Sequence, residues 1–361
     1  MPTQDEVLQA LQAVQDPDLH KDIVSLGFVK KLTIEGGKIA FDLELTTPAC
    51  PVKDQLKAEC ESILRALPGV ESVEVNLSAQ VRSPRPAGAI MPGVKNLVAV
   101  ASGKGGVGKS TVAANLALAL AAEGASVGLL DADIYGPSAP TMFGSTARPQ
   151  PAGENRIHPV YVQGIKVMSI GFLVDPDQPM VWRGPMVHGA LSQFLEQVEW
   201  GELDYVIVDM PPGTGDAQLT LTQRAPLAGA VIVTTPQQVS LIDARKGLKM
   251  FEQVKVPVLG IVENMAYFVC DGCEKEHEIF RRGGGKATAE ELGVPFLGEV
   301  PIDTAVPLSG DEGQPIVSRA PDSPAAQAMM ALAREVARQL AMRGMEAEAD
   351  AAGDLNLAWK S

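Results

Sequence analysis

Ten consecutive residues, Ser102-Gly103-Lys104-Gly105-Gly106-Val107-Gly108-Lys109-Ser110-Thr111, hold the densest chemistry in this 361-residue chain. Gly103, four intervening residues, then Gly108-Lys109-Ser110 is the spacing of a Walker A loop. Glycines let backbone N–H groups curl round a phosphate without a clashing Cβ. A helix starting directly behind such a loop adds unpaired donors and a positive dipole end. Lys109 would bridge β- and γ-phosphates, and the Ser110 hydroxyl would ligate Mg²⁺. Gly103, Lys104, Gly105, Gly106, Val107, Gly108, Lys109, Ser110 and Thr111 together form the expected nucleotide cradle. Gly103, Gly105 and Gly108 also satisfy the G-x-G-x-x-G pattern of dinucleotide folds. That reading gives Lys109-Ser110 no task, so the phosphate loop is favoured.

Two further constellations stand out. Leu203-Asp204-Tyr205-Val206-Ile207-Val208-Asp209 is an apolar run ending in an acid, the Walker B arrangement, with Asp209 holding a Mg²⁺-bound water. Met210-Pro211-Pro212-Gly213-Thr214-Gly215-Asp216 follows as a loop able to sense the γ-phosphate. Further on, Cys270-Asp271-Gly272-Cys273 places two thiols on one small turn, suited to zinc or an iron–sulfur cluster. A tetrahedral site wants four ligands, and the spacing supplies two. The pair could act as a redox dithiol, recruit Cys50 and Cys60, or meet the same two residues of a second subunit. His277 nearby reads as a surface histidine in a Glu-rich loop, Cys60 as a core residue, and Cys50 as either a reactive thiol or an auxiliary ligand.

These residues need a scaffold that presents them from strand ends. Residues 1–81 read as a small α+β domain. Helical spacing covers 4–14, alternating segments at 28–34 and 39–45 flank Gly36-Gly37 as a hairpin, a second helix covers 52–67 and a strand 70–77. Residues 82–95 contain three prolines and no period, and read as a linker. From residue 96, short apolar runs at 97–101, 127–130, 165–170, 205–208, 230–234, 258–262 and 296–300 alternate with helical stretches at 111–122, 186–198, 239–253 and 325–342. That grammar predicts a doubly wound, mostly parallel α/β sheet covered on both faces. The domain is expected to span 96–342, followed by an acidic, flexible, solvated tail over 343–361.

Composition narrows the partners. The formal net charge is −14, with no Lys/Arg cluster, which disfavours nucleic acid. No apolar run approaches bilayer-spanning length, and the acidic amino terminus lacks an export signal. The Ala-rich carboxy terminus, with Glu346, Glu348, Asp350 and Asp354, is unlike a basic membrane anchor. No membrane and no nucleic acid are expected, and a cytoplasmic location follows. Four cysteines in a reducing compartment suggest metal or redox chemistry rather than structural disulfides.

Lys104 departs from the general Walker pattern. The loop resembles the G-K-G-G-x-G-K-[ST] signature of deviant Walker A ATPases, which include septum-placing, DNA-partitioning and nitrogenase-iron-protein enzymes. The resemblance implies a SIMIBI-like P-loop NTPase fold and a face-to-face homodimer. In that dimer Lys104 reaches the partner's phosphates and neutralises transition-state charge, as an arginine finger does. It also implies that Asp133, within Leu129-Leu130-Asp131-Ala132-Asp133-Ile134-Tyr135-Gly136-Pro137-Ser138, orients the attacking water. Asp131 would be structural or stand behind Mg²⁺, and Asn264 would read the adenine edge, with a capping or turn role as its alternative. The catalytic set so implied is Lys104, Lys109 and Asp133.

Further segments sharpen the likeness: Val181-Trp182-Arg183-Gly184-Pro185-Met186, Thr235-Pro236-Gln237, Glu263-Asn264-Met265, the cysteine pair and Gly283-Gly284-Gly285. With the phosphate loop and the two acidic motifs, they are similar to the Mrp/ApbC family of P-loop iron–sulfur cluster carriers. Asp16-Pro17-Asp18 and Thr46-Thr47-Pro48-Ala49-Cys50-Pro51 resemble the small domain often fused to it. The family implies ATP binding and hydrolysis, with Mg²⁺ on Ser110 and Asp209. It also implies a [4Fe-4S] cluster held between subunits by Cys270 and Cys273 and passed to apo-proteins. The alternatives are a partitioning or septum-placing switch, which would need a basic face or membrane tail, and a zinc-containing non-catalytic scaffold.

Overall fold

The computed structural model describes the chain except residues 1, 85–87, 89, 176–183, 214, 271, 274 and 359–361; the side chains of 216 and 350–358 also lie outside the described set. The expected Val181-Trp182-Arg183 motif, Thr214 and Asp271 fall among the omitted residues. Two compact units emerge, one formed by 1–82 with 337–361 and the other by 83–336.

In the first unit, α1 (Gln4–Leu11) opens with a Thr3–Glu6 capping box, in which each side chain takes up the other's backbone N–H. Strands β1 (Val29–Glu35) and β2 (Lys38–Leu45) pair antiparallel across Gly36-Gly37, both with positive φ as a tight hairpin demands. Helix α2 (Lys53–Arg65) then crosses over to β3 (Ser72–Ala79), which lies parallel to β2. Strict alternation on β2 sends Ile39, Phe41, Leu43 and Leu45 inward, where they meet Val7, Leu11, Leu56, Cys60 and Leu64. Each such side chain contributes about 1.5–3 kcal/mol of burial.

The second unit is built on a sheet of nine described strands. In chain order these are β4 (Val94–Ala101), β5 (Val127–Asp131), β6 (Val160–Val162), β7 (Ile165–Ser169), β8 (Leu203–Asp209), β9 (Gly229–Thr234), β10 (Val258–Val269), β11 (Glu276–His277) and β12 (Phe296–Ile302). The spatial order is β6-β7-β5-β8-β4-β9-β10-β11, with β12 also paired to β10. Pairing is parallel except at β6–β7 and β10–β11. Helices α3 (Lys109–Ala122), α4 (Gly184–Glu196), α5 (Asp216–Arg224), α6 (Gln238–Gln253) and α7 (Gly284–Leu292) connect the strands. Strand β4 is central, and the chain leaving it skips past β8 to reach β5, so its carboxyl end sits where connections diverge, the usual place for a ligand in open α/β sheets.

Two expectations need correction. The strand foreseen at 258–262 runs on to Val269, so it carries Asn264 in its interior and leads straight into Cys270. The tail foreseen as flexible over 343–361 is helical as far as Ala358: α8 runs Pro324–Ala358, and its part from Ala337 belongs to the first unit. There Arg338 pairs with Asp18 at 3.1 Å, and Arg82 with Glu348. An Ala-rich segment with Met, Leu and Glu has high helix propensity, and these partners hold it. The expected linker, 82–95, overlaps omitted residues, and its last two residues already belong to β4. Among the described residues no helix is long and apolar enough to cross a membrane.

Candidate nucleotide and metal-binding site

The phosphate loop joins β4 to α3. Ser102 Oγ donates to the carbonyl of Lys104 at 2.8 Å, and the N–H of Gly213 donates to the carbonyl of Ser102 at 3.1 Å. Gly108 caps α3 in the left-handed region, φ 81°, with no side-chain cap, so the first N–H groups of the helix stay free for an anion. A Cβ there would also stand 2.2 Å from Asn264 Nδ2. A Cβ on Gly103 would stand 2.1 Å from the backbone carbon of Asp243 on α6. The loop is therefore clamped between β10 and α6, and only glycine fits both positions.

Behind it, three acids converge. Asp131 and Asp209 end neighbouring parallel strands in register with each other. Lys109, 6% exposed, donates to Asp209, lies 3.3 Å from Ser110 Oγ and stands 4.0 Å from an oxygen of Asp133. Asp131 is fully buried and accepts from the N–H groups of Asp133, Ser138 and Ala139 and from Ser169 Oγ, at 2.9–3.2 Å. It thereby shapes the loop that carries Asp133. Burial, followed by the charge of Asp209, pushes its carboxyl up to about 7 against those hydrogen bonds and Lys109. Burial also raises Asp133, with Lys109 opposing it.

Lys104 is partly exposed and has no ion pair among the described residues. Next to Asp133 opens a cavity of about 820 Å³ whose lining includes Tyr135, Val187, His188 and Gln218. The Gln218 amide is buried there without a hydrogen-bond partner. A hydroxyl at Ser110 with carboxylates at Asp209 and Asp133 is a hard-oxygen donor set of the kind Mg²⁺ takes.

Asn264 is tied to the phosphate loop. Its Nδ2 donates to the carbonyl of Val107 at 2.8 Å, and its Oδ1 accepts from Met265 N at 3.0 Å. Next to it, the buried carboxylate of Glu263 accepts from the N–H groups of Gly283 (2.8 Å) and Gly285, capping the start of α7. That contact accounts for the two motifs on either side of the cysteines.

Cys270 and Cys273 sit at the tip of the β10–β11 hairpin. Phe268 pairs with His277 and Val269 with Glu276, and Cys270 N donates to Lys275 O at 3.0 Å. Arg282 braces the base of the hairpin. It hydrogen-bonds Glu276 on β11 and Glu299 on β12, each at 2.6 Å, and its guanidinium lies 4.2 Å from the centre of the Tyr267 ring on β10. The result is a group the sequence reading missed: ligand atoms of Cys270, Cys273 and His277 all lie within 4.8 Å of one another. The signal was the C-x-x-C-x-x-x-H spacing, which lies within the usual range for metal ligands. Cys50 and Cys60 belong to the other unit, and burial pushes their thiols up to about 11 and about 12.

Comparison with known proteins shows the family. Residues 93–337 match the family described as the NUBPL iron-transfer P-loop NTPase, and residues 4–77 match an iron–sulfur cluster assembly protein domain. An iron–sulfur cluster carrier protein of Synechocystis is 53% identical over 96% of this chain and all of its own length. The chloroplastic Fe-S cluster assembly factor HCF101 of Arabidopsis thaliana is 47% identical over 93% of this chain and 64% of its own. Among solved structures, a nucleotide-binding protein of Archaeoglobus fulgidus, in complex with ADP and described with cobalt, is 43% identical. It covers 63% of this chain and 90% of its own, with a TM-score of 0.56. The Pyrococcus furiosus cell division ATPase MinD shares the fold, at 22% identity over 67% of this chain and 98% of its own, TM-score 0.50. The chain belongs to the iron-transfer P-loop NTPases, the Mrp/ApbC group whose motifs it carries, and is an iron–sulfur cluster carrier or assembly factor of that family.

Proposed function

We propose that the protein binds and hydrolyses ATP and uses the nucleotide cycle to govern a [4Fe-4S] cluster, which Cys270 and Cys273 of two chains hold together and release to apo-proteins. One observation carries the reading: β10 braces the phosphate loop through Asn264 and ends in the cysteine hairpin, so a single strand serves both sites. One chain offers two thiols at the tip, and a second chain supplies the other two that a four-cysteine cluster requires. The homologous protein solved in complex with ADP supports nucleotide binding.

Within the nucleotide site, N–H groups of residues 103–111 and the α3 terminus cradle the phosphates. Lys109 exchanges its contact with Asp209 for the β- and γ-phosphates. That exchange frees Asp209 to serve, with Ser110, the Mg²⁺ that neutralises phosphate charge. Asp133 orients the attacking water, and Lys104, whose side chain has no ion pair among the described residues, reaches the phosphates of the opposing subunit. Asn264 keeps one amide proton on Val107 and offers the other to the adenine edge. Interfaces that close only around bound nucleotide shift the population of a two-state dimer, and the cluster ligands ride on that dimer.

Anaerobic reconstitution with iron and sulfide tests the reading. About four iron atoms per dimer are expected, with none retained after Cys270→Ser and Cys273→Ser are combined. A full cluster on the double variant would overturn the bridging assignment.

A further inference from the structure

We propose that one chain by itself binds a single divalent cation of the zinc or ferrous class through Cys270 Sγ, Cys273 Sγ and an imidazole nitrogen of His277. The inference deepens the reading of the same loop and rests on it only for the loop's role in metal handling; it needs no second subunit. The three ligand atoms lie within 4.8 Å of one another. Metal–sulfur bonds near 2.3 Å and metal–nitrogen bonds near 2.0 Å put tetrahedral ligands roughly 3.5–3.8 Å apart, so side-chain rotations of about an ångström complete the set.

The backbone positions these ligands before any metal arrives. His277 is fixed opposite Phe268 in the β10–β11 ladder, and the Cys270 N–H closes the turn on Lys275 O. Arg282 holds Glu276, the neighbour of His277, and Glu299, which stops that flanking carboxylate from competing as a ligand. Two thiolates and an imidazole select zinc, iron or cobalt over the hard ions magnesium and calcium. Three ligands leave one tetrahedral position, and the exposure of Cys273 and His277 keeps it within reach of an incoming thiolate. His277 thus gives the hairpin a metal-bound state in the single chain, before a partner's cysteines replace the imidazole.

The full chain, reduced and free of metal, is titrated anaerobically with Co²⁺, with Zn²⁺ as competitor. Expected are one cobalt per chain, thiolate-to-cobalt charge transfer and tetrahedral ligand-field bands. His277→Ala should weaken binding more than about tenfold and alter those bands, since even outer-shell partners of a metal ligand are worth about 10–100-fold. Nucleotide affinity, read at the separate phosphate loop, confirms that each variant is folded. One cobalt per two chains, or a His277→Ala variant with unchanged affinity and spectrum, overturns the proposal. The same proteins are reconstituted with iron and sulfide. If His277→Ala loses cobalt affinity but still assembles the cluster, both readings stand. A wild-type chain that binds cobalt singly and assembles no cluster sinks the bridged-cluster reading alone.

Discussion

The side-chain amide of Asn264 donates to the carbonyl oxygen of Val107 across 2.8 Å, joining the interior of β10 to the phosphate loop. Directly after it, Met265 adopts φ 57° and the β10–β12 register shifts, so the strand bends where it is anchored. Six residues on comes Cys270. At about 3.3 Å per residue, the anchor and the cysteine are at most about 20 Å apart, along one strand and the residue that follows it. Such a strand is a physical connection between the two sites.

Asn264→Ala is expected to weaken binding of a non-hydrolysable ATP analogue about tenfold, because a buried carbonyl left without its donor costs about 1–3 kcal/mol. Titration calorimetry checks this. Gly108→Ala should abolish binding, since a Cβ there meets the Asn264 amide and the backbone stays at φ 81°. Wild-type affinity in Asn264→Ala would show that the loop holds its shape without the brace.

The two loop lysines should separate cleanly. Lys109→Ala leaves buried Asp209 without its cation, so both nucleotide binding and thermal stability fall. Lys104 has no ion pair among the described residues, so Lys104→Ala should leave the melting temperature and single-chain nucleotide affinity almost unchanged. Single-turnover hydrolysis should drop by about 10³-fold, the scale of a lost trans-acting cation. Equal hydrolysis rates in wild type and Lys104→Ala would remove the lysine from catalysis.

Much of the scaffold was legible because parallel strands buried on both faces read as apolar runs: Val127–Asp131 and Leu203–Asp209 lie within two residues of their expected ends. The phosphate loop was legible because its glycine and lysine spacing is itself the signal, and Gly106 and Gly108 take positive φ; that Gly103 also answers to Asp243 on α6 was not legible. Strand β10 was not, since residues 263–269 mix Glu, Asn and Tyr, whose places depend on partners elsewhere: α7 for Glu263, Val107 for Asn264, Arg282 for Tyr267. His277 was read as a surface histidine, and it is exposed, but its place beside the cysteine thiols was not legible for the same reason. Its nearness to the cysteines follows from hairpin register, which no property of the histidine itself announces.

Asp131 gives a pH signature. Its folded carboxyl is raised to about 7 from an ordinary value near 4, first by burial and then by the charge of Asp209. Between those values the native state holds a proton that the unfolded chain has released. Its contribution to stability is therefore full below about pH 4 and is lost as pH rises towards 7. Asp131→Asn should be less stable in absolute terms, because an amide has one oxygen and cannot accept both from the N–H of Asp133 on one side and from those of Ser138 and Ala139 on the other. Its denaturant midpoint should fall less steeply than wild type from pH 5 to 7.5. Equal slopes would mean that Asp131 is already ionised at pH 5.

The four cysteines should divide in two under alkylation at pH 8. Attack requires the thiolate. Burial holds the Cys50 thiol near 11 and the Cys60 thiol near 12, so at pH 8 only about one part in a thousand or fewer of either is ionised. Both should resist iodoacetamide until denaturant is added, which speaks against Cys50 as a nucleophile in the folded protein. Cys273 is exposed and should be labelled first. One equivalent of zinc should protect Cys273, and protection should weaken in His277→Ala if the imidazole shares the metal. Peptide mass mapping with and without zinc gives both results in one experiment. Fast labelling of Cys50 in the native chain would show that its loop opens enough to hydrate the thiol.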